Sequence, residues 1–483
     1  WARPGTPDSR VAQWLHIPLM EVAGVGENTQ FSSRVLDEPP ELAELGRRIT
    51  LRIKPGLLWS DGERPITASD VTRSLNARLD KSLPSFDAAL NSIVKTYDDT
   101  GPYEVVVDLH RTQLRPQTNF LFNVAAGHRL IGDRFDQNAA VGAGPFRFLT
   151  KKTGTEVSLR ANKNFFAGQP KIAEIVERRY PTGKDGVKAL LAGDVAMLEH
   201  VPPKELKRIE ARTEDMAVGR GIVPAVHVIS FDFRTSAALK DQWALRRAMV
   251  YALDRKKILE DGILDGQPCE GDELIHGPFP KGSFAFEPSI EPWPYNAVLA
   301  KGLVDAAKKD LNTKTLRFTL HHPDTEEVRE ACKFIKTYWG IVGIEVDLKP
   351  LPTQELEELV ALGRRFELVY RIHYVRDPVL DAARVLNLGP PISPQGVMPN
   401  AATAWERQNL RDLEFATNWP LARAKLQLLQ HQARDDVAII PLWQLTDYYA
   451  YHKRLKGVLD ASLGLYQDAE SWQIEPWYRT DPK

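Results

Sequence analysis

The chain has 483 residues, 43% of them hydrophobic and 26% charged, and a net charge of −1 at pH 7. This is an ordinary soluble composition, too long for one core, so two or three domains are expected, and its near neutrality gives no electrostatic ground for nucleic acid or an anionic membrane as partner. No run of 18 apolar residues could span a bilayer, and the only two cysteines, Cys269 and Cys332, read as separate buried thiols with no zinc-type cluster around them.

The chain opens at Trp1 without a Met or signal peptide, which reads as the start of a mature or trimmed chain. A helix-like segment over 8–20 comes first. Residues 51–79 then read as strand, turn and capped helix in immediate succession. Leu51 and Ile53 alternate with Arg52 and Lys54, as in a half-buried strand. Asp61-Gly62 is a turn signal, since Gly tolerates positive φ. Thr67 can cap a helix whose first turn carries Asp70, and Ala68, Val71, Leu75 and Leu79 share one face of it. Residues 103–109 (YEVVVDL) read as a strand, and 141–148 (VGAGPFRF) as a glycine-rich turn entering another. No Gly-Lys-Ser/Thr follows that turn, so it is not a phosphate cradle. A β-α-β run follows over 173–180, 184–191 and 195–199. Strand 226–233 leads into a helix with Asp241 as its expected cap and Leu245, Met249, Ala252 and Leu253 on one face.

The clearest topology lies between 315 and 372. Strands at 316–320, 344–348 and 366–372 are separated by helices at 325–338 and 353–362, the first with Val328, Cys332, Ile335 and Trp339 inward. This predicts a parallel βαβαβ unit with right-handed crossovers. Ligands bind such sheets outside the carboxyl ends of the strands. Those ends are His321-His322-Pro323 and His373-Tyr374-Val375-Arg376-Asp377. A helix over 420–434 and a strand over 437–443 close the pattern.

Catalytic signatures are absent: there is no nucleophile elbow, no H-E-x-x-H and no S-x-x-K where one is needed. His321 and His322 point to opposite faces of an extended chain and do not suit one metal ion. Asp98-Asp99 and Asp435-Asp436 read as solvated charges. Of the 11 tryptophans, Trp59 and Trp243 read as structural. Trp443, after the last strand, is a cleft candidate, as are His227 and Phe231 on one face of strand 226–233.

The residues carry more than their periodicity. GLLWSDG (56–62), PITASDV (65–71) and Ser74 resemble the signature of the family 5 extracellular solute-binding proteins, the dipeptide and oligopeptide receptors of bacterial ABC importers. Similar matches occur in family order at 142–146, 192–195, 246–258 and 438–443. The resemblance implies an α/β fold, periplasmic-binding-protein-like type II, with a discontinuous first lobe (1–35, 142–233 and 440–483). A small α+β subdomain (36–141) and a second lobe (234–439) would complete it. It implies a monomeric, non-enzymatic receptor without cofactor or metal, its partners a ligand and the ABC permease. Export to the periplasm or cell surface, with or without a lipoprotein anchor, follows from the resemblance alone.

Peptide receptors of this family hold the ligand's α-amino group with an aspartate, whose place here falls at Tyr374. Asp377 keeps the Asp-Pro end of that segment, while Arg371 and Arg376 bring positive charge. Either Asp377 takes over the amine, or the ligand is a carboxylate, sugar acid or other polar molecule without an ammonium. The expected ligand-binding set is His227, Phe231, Arg371, His373, Tyr374, Arg376, Asp377 and Trp443. A ligand-sensing domain of a regulatory protein on the same fold is the alternative reading.

Overall fold

A computed structural model of the chain describes residues 14–24, 30–83, 85–126, 130–131, 134–135, 141–152, 156–269, 273–361, 364–388 and 403–475. Of the helix expected over 8–20, residues 8–13 lie outside them; Trp14 and Leu15 are helical, but His16–Met20 are not, since Pro18 bridges to Asn123 and the Leu19 and Met20 amides donate to the carbonyls of Phe122 and Phe120 instead of continuing a helix.

The small subdomain is a four-stranded antiparallel sheet in the order Glu41–Ala43, Arg48–Arg52, Glu104–Leu109, Val94–Gly101. Its strands alternate as a one-sided sheet requires. Ile49, Leu51, Val105 and Val107 are buried, while outward Arg48 and Arg52 pair with Asp108 and Glu104. Helix Ala68–Leu79 covers the inner face with Ala68, Val71 and Leu75. The Asp70 carboxylate reaches back to accept the Thr67 amide at 3.0 Å, so the expected cap forms. Ser74 donates to the Asp70 carbonyl and accepts from the Ala125 amide, tying the helix to a distant segment. Trp59 is fully buried among these side chains.

Two glycine sites explain the turn motifs. Gly62 has φ +73°, and a Cβ there would meet Asn164 Nδ2 at 2.7 Å. At Gly142 and Gly144 a Cβ would lie 1.7 Å and 2.3 Å from the carbonyl oxygens of Leu15 and Trp14. The glycine-rich turn therefore lets an early segment lie directly on the chain; it cradles backbone, not phosphate.

In the first lobe Phe146–Lys152, Glu156–Ala161 and Glu174–Arg178 form one antiparallel sheet. A second sheet has the order Met197–Leu198, Tyr448–His452, Met216–Gly221, Ala461–Ser462. The β-α-β run over 173–199 is thereby divided between two sheets. Its second strand takes its partner, Tyr448–His452, from far downstream.

The second lobe holds a five-stranded sheet in the order Ile344–Leu351, Leu316–Pro323, Leu368–Tyr374, Ala225–Phe231, Ile439–Leu445. The first three strands are parallel, joined through helices Glu326–Ile341 and Thr353–Ala361 as the pattern predicts. Ala225–Phe231 runs antiparallel to Leu368–Tyr374, and Ile439–Leu445 antiparallel to Ala225–Phe231. Boundaries at 233/234 and 439/440 would therefore cut strands from the sheet that holds their hydrogen bonds. Both strands belong with Leu368–Tyr374. Asp241 does not cap the long helix either: it ends a short helix, Ala237–Asp241, and the next runs Trp243–Tyr251 behind Gln242. Trp243 is 53% exposed, with the Arg247 guanidinium 4.4 Å from its ring, so it is a surface residue.

One face of this sheet carries Ile229, Phe231 and Tyr370 into a core with Cys332, Ile335 and Trp339. The other packs Val226 and Val228 against helices Pro378–Val385 and Trp419–Asp436. Cys269 and Cys332 are buried and not joined by a disulfide. The lobes meet at two short crossings. Met216–Gly221 runs on into Ala225–Phe231, and Ile439–Leu445 into Tyr448–His452. The crossings bond to each other, the Gly221 amide donating to the Asp447 carbonyl at 2.8 Å.

Candidate functional site

The parallel strands of the second lobe end toward the first lobe. Lys204, on first-lobe helix Pro203–Glu210, donates to Glu326 at the start of second-lobe helix Glu326–Ile341. The helices flanking the three parallel strands lie on opposite faces, because Glu326–Ile341 packs into the Phe231 side and Leu356 packs with Val369 on the other. The crevice at such a switch of faces is where open α/β sheets bind ligands.

His227 is buried, its Nδ1 2.8 Å from the Tyr370 hydroxyl and its ring beside Trp443. Burial, with the charge of His200 second, pulls its pKa to about 3, so the ring is neutral. Trp443 is fully buried on the same side. Both are core residues behind the strand ends rather than exposed side chains. Phe231 is a correction. Its register partner is Leu368, at the amino end of the third strand, whereas Ala225 pairs with Tyr374 at the carboxyl end. Sharing a face with His227 still leaves it about 13 Å farther along. Phe231 is fully buried against Phe233 in the core.

Arg371 and His373 lie on the other face of the third strand. The Arg371 side chain is 5% exposed, its nearest carboxylate being Glu357 at 3.9 Å. Burial pulls its pKa down to about 10, so it stays charged at neutral pH. Its Nε has no acceptor among the described residues. His373, 1% exposed, has Nδ1 3.4 Å from Arg384 Nη1. Arginine can only donate, so Nδ1 accepts and the neutral ring carries its proton on Nε2. Burial, then the charges of Arg371 and Arg384, hold its pKa well below the usual value. Nε2 likewise has no acceptor among the described residues. The strand thus presents two buried donors that no acceptor meets among the described residues.

The loop after the strand is held on three sides. The Tyr374 hydroxyl donates to Asp447 Oδ2 in the hinge at 2.5 Å, and the side chain is partly open to solvent. Arg376 donates through Nη2 to the Leu463 carbonyl at 3.2 Å. Asp377 caps helix Pro378–Val385, accepting from the amides of Val379 and Leu380, and its carboxylate also meets Arg115 of the small subdomain. Burial raises the Asp377 pKa, opposed by Arg115 and by the two amides.

Arg371 and His373 thus share one face of the strand with Arg384, Tyr374 falls on the face of His227 and Trp443, and Arg376 and Asp377 follow in the loop. Arg115, Arg384 and Asp447 belong to the arrangement and were not expected. Asp447, a carboxylate just past a crossover strand, was readable as a hinge residue; Arg115 sits in a stretch with no signal of its own. His322 is buried and His321 half-buried, and no group of three or more His, Cys, Asp or Glu side chains among the described residues could hold a metal ion.

A family model described as bacterial extracellular solute-binding proteins, family 5, matches residues 32–402. The oligopeptide-binding protein AppA of Bacillus subtilis is 26% identical over 323 residues, 62% of this chain and 58% of that protein. A probable di/tripeptide-binding protein 5 of Pseudomonas aeruginosa is 22% identical over 265 residues, 50% of this chain and 48% of the relative. The chain thus spans about half the length of the curated relatives it matches. Among solved structures, B. subtilis AppA with a nonapeptide superposes with a TM-score of 0.84 at 18% identity, covering 98% of this chain and 95% of that one. AgaA of A. tumefacien R10 with agropinic acid gives 0.83 at 18% identity, covering 99% and 96%. These likenesses give the two-lobed α/β fold, and the family match over most of the length gives the lineage: the chain belongs to the bacterial extracellular solute-binding proteins, family 5.

Proposed function

We propose that this chain is the ligand-capturing receptor of an ABC importer, working outside the cytoplasmic membrane and delivering its ligand to a membrane permease. Two lobes joined by two short crossings close on a small polar ligand at the carboxyl ends of the parallel strands. Family membership supports the receptor role, and the ligands for which similar proteins are named range from oligopeptides to agropinic acid. Within that range we favour a ligand bearing a carboxylate or similar acceptor group over one held by its ammonium.

One observation supports the choice: Arg371 Nε and His373 Nε2 are buried donors without acceptors among the described residues, on the strand whose carboxyl end faces the first lobe. A buried donor left unpaired is costly, and an anionic oxygen is the acceptor that suits a guanidinium best. The peptide alternative needs a free carboxylate for the α-amino group. Asp377 is instead shared between Arg115 and a helix start, and Tyr374 stands in the expected place.

Native mass spectrometry of the purified protein, followed by calorimetric titration with gluconate, succinate and dialanine, tests this reading. Gluconate or succinate should bind, and Arg371→Met should weaken that binding at least about tenfold. Co-purified peptides with free amino termini, or binding of dialanine alone, would overturn the ligand class.

A further inference from the structure

The small subdomain touches the second lobe through the segment that follows its strand Glu104–Leu109. Arg111 meets Glu414 at 3.1 Å with its guanidinium over Phe415, and Leu114 packs against the apolar cluster of the C-terminal helices. Arg115 then meets Asp377. The side chains are 9% and 5% exposed, with Nη1 2.8 Å from Oδ2 and Nη2 donating to Oδ1 at 3.1 Å. The Trp419 ring lies 4.3 Å from the guanidinium and Phe31 5.8 Å from it. A planar, aromatic-stacked guanidinium opposite a carboxylate has little freedom to find another geometry.

The same carboxylate accepts from the amides of Val379 and Leu380, so it joins the ligand-side loop, the helix behind it and the small subdomain at one point. The small subdomain is itself fastened on the other side. The Ser60 amide donates to the Gly142 carbonyl at 2.8 Å, and Asn164 Nδ2 donates to the Ser60 carbonyl at 3.3 Å. The contact from Arg115 to Asp377 is therefore a connection between the lobes that does not pass through the hinge.

We propose that Arg115 is a positioning residue of the ligand site: its ion pair with Asp377 fixes loop 374–377 and makes that position depend on the approach of the two lobes. A buried ion pair contributes specificity of arrangement more than net stability, which suits a contact that must part when the lobes do. The consequence for ligand affinity rests on the receptor reading above; the consequence for the loop does not.

Hydrogen exchange of the full-length protein tests the loop directly. Arg115→Met should raise exchange of 374–385, the Val379 and Leu380 amides included, about tenfold or more, and leave strands Arg48–Arg52 and Glu104–Leu109 unchanged. Arg115→Lys should restore part of the protection. If Arg115→Met does not fold, Asp377→Asn keeps a capping oxygen while removing the charge, and should loosen 374–377 with the helix start retained. Unchanged exchange over 374–385 in a folded variant would overturn the proposal. In the binding arm, Arg115→Met should weaken gluconate binding through loss of order. If neither gluconate nor succinate binds the wild type, the ligand class fails, and the exchange result still decides the role of Arg115.

Discussion

The signature segment of the small subdomain and the loop after the third strand of the second lobe are both polar, both turn into a helix, and both begin that helix at an acid-bearing cap. They differ in where their partners come from. In the signature segment Thr67 is satisfied by Asp70, Ser74 by the Asp70 carbonyl, and the Gly62 amide by the Trp59 carbonyl. In the loop, Asp377 is met by an arginine 262 residues away, Tyr374 by a carboxylate 73 residues on, and Arg376 by a carbonyl 87 residues on. The signature segment builds its turn and its cap from its own residues, and its outside ties, from Ser74 to the Ala125 amide and from Ser60 to Gly142, only fasten that finished unit to the scaffold. A site assembled from three units lacks that independence, and its residues take their roles from whatever closes over them.

The contrast can be broken from either side. The largest effect belongs to the scaffold: Trp59→Ala should cost about 3–5 kcal/mol in urea unfolding, because a large buried ring leaves a cavity. Exchange of 374–385 under native conditions should stay unchanged, and a rise there would mean that the two regions are not separable. His227 gives a middle-sized test, since residue type alone cannot tell a cleft histidine from a buried one. Its folded pKa of about 3 lies below the ordinary 6.5, so the unfolded chain binds the extra proton between those values. The stabilisation is complete above pH 6.5 and is lost as pH falls, by about 2 kcal/mol at pH 5. His227→Gln should flatten that part of the stability profile; a histidine NMR titration with a midpoint near 6.5 would return the residue to the cleft. The smallest effect is that of Tyr374→Phe. Its bond to Asp447 is partly solvent-exposed, so stability should change by about 1 kcal/mol or less. Faster exchange of the Gly221 amide would report the lost tie between loop and hinge.

Legibility follows the same division. The βαβαβ unit was readable because each strand and helix carries its own period and the crossover rule fixes their order. That Ala225–Phe231 and Ile439–Leu445 complete the same sheet was not, since antiparallel partners distant in sequence leave no local mark. Phe231 misled for a related reason: alternation gives the face of a strand but not the distance along it. Trp243 sits in a motif that reads as scaffold, yet it lies against Arg247 at the surface. Charge and position single out Arg371 and His373 in the sequence, and their nitrogens without acceptors among the described residues give them a chemical preference. Arg115 lay beyond sequence reasoning altogether, because its partner is set by how a small sheet leans on a distant lobe.

The crossings also limit what the chain can tolerate. Ile439–Leu445 and Tyr448–His452 belong to different sheets with only Thr446 and Asp447 between them. Neither residue belongs to a strand, so an inserted one must either be absorbed in this two-residue spacer or shift the pairing of Tyr448–His452, and a one-residue shift turns its side chains to the wrong side of its sheet. The spacer can therefore change in composition far more readily than in length. It works as a gear tooth between two periodic surfaces, and one residue inserted at 446–447 should lower stability more than Thr446→Ala, which keeps the length and leaves Asp447 in place.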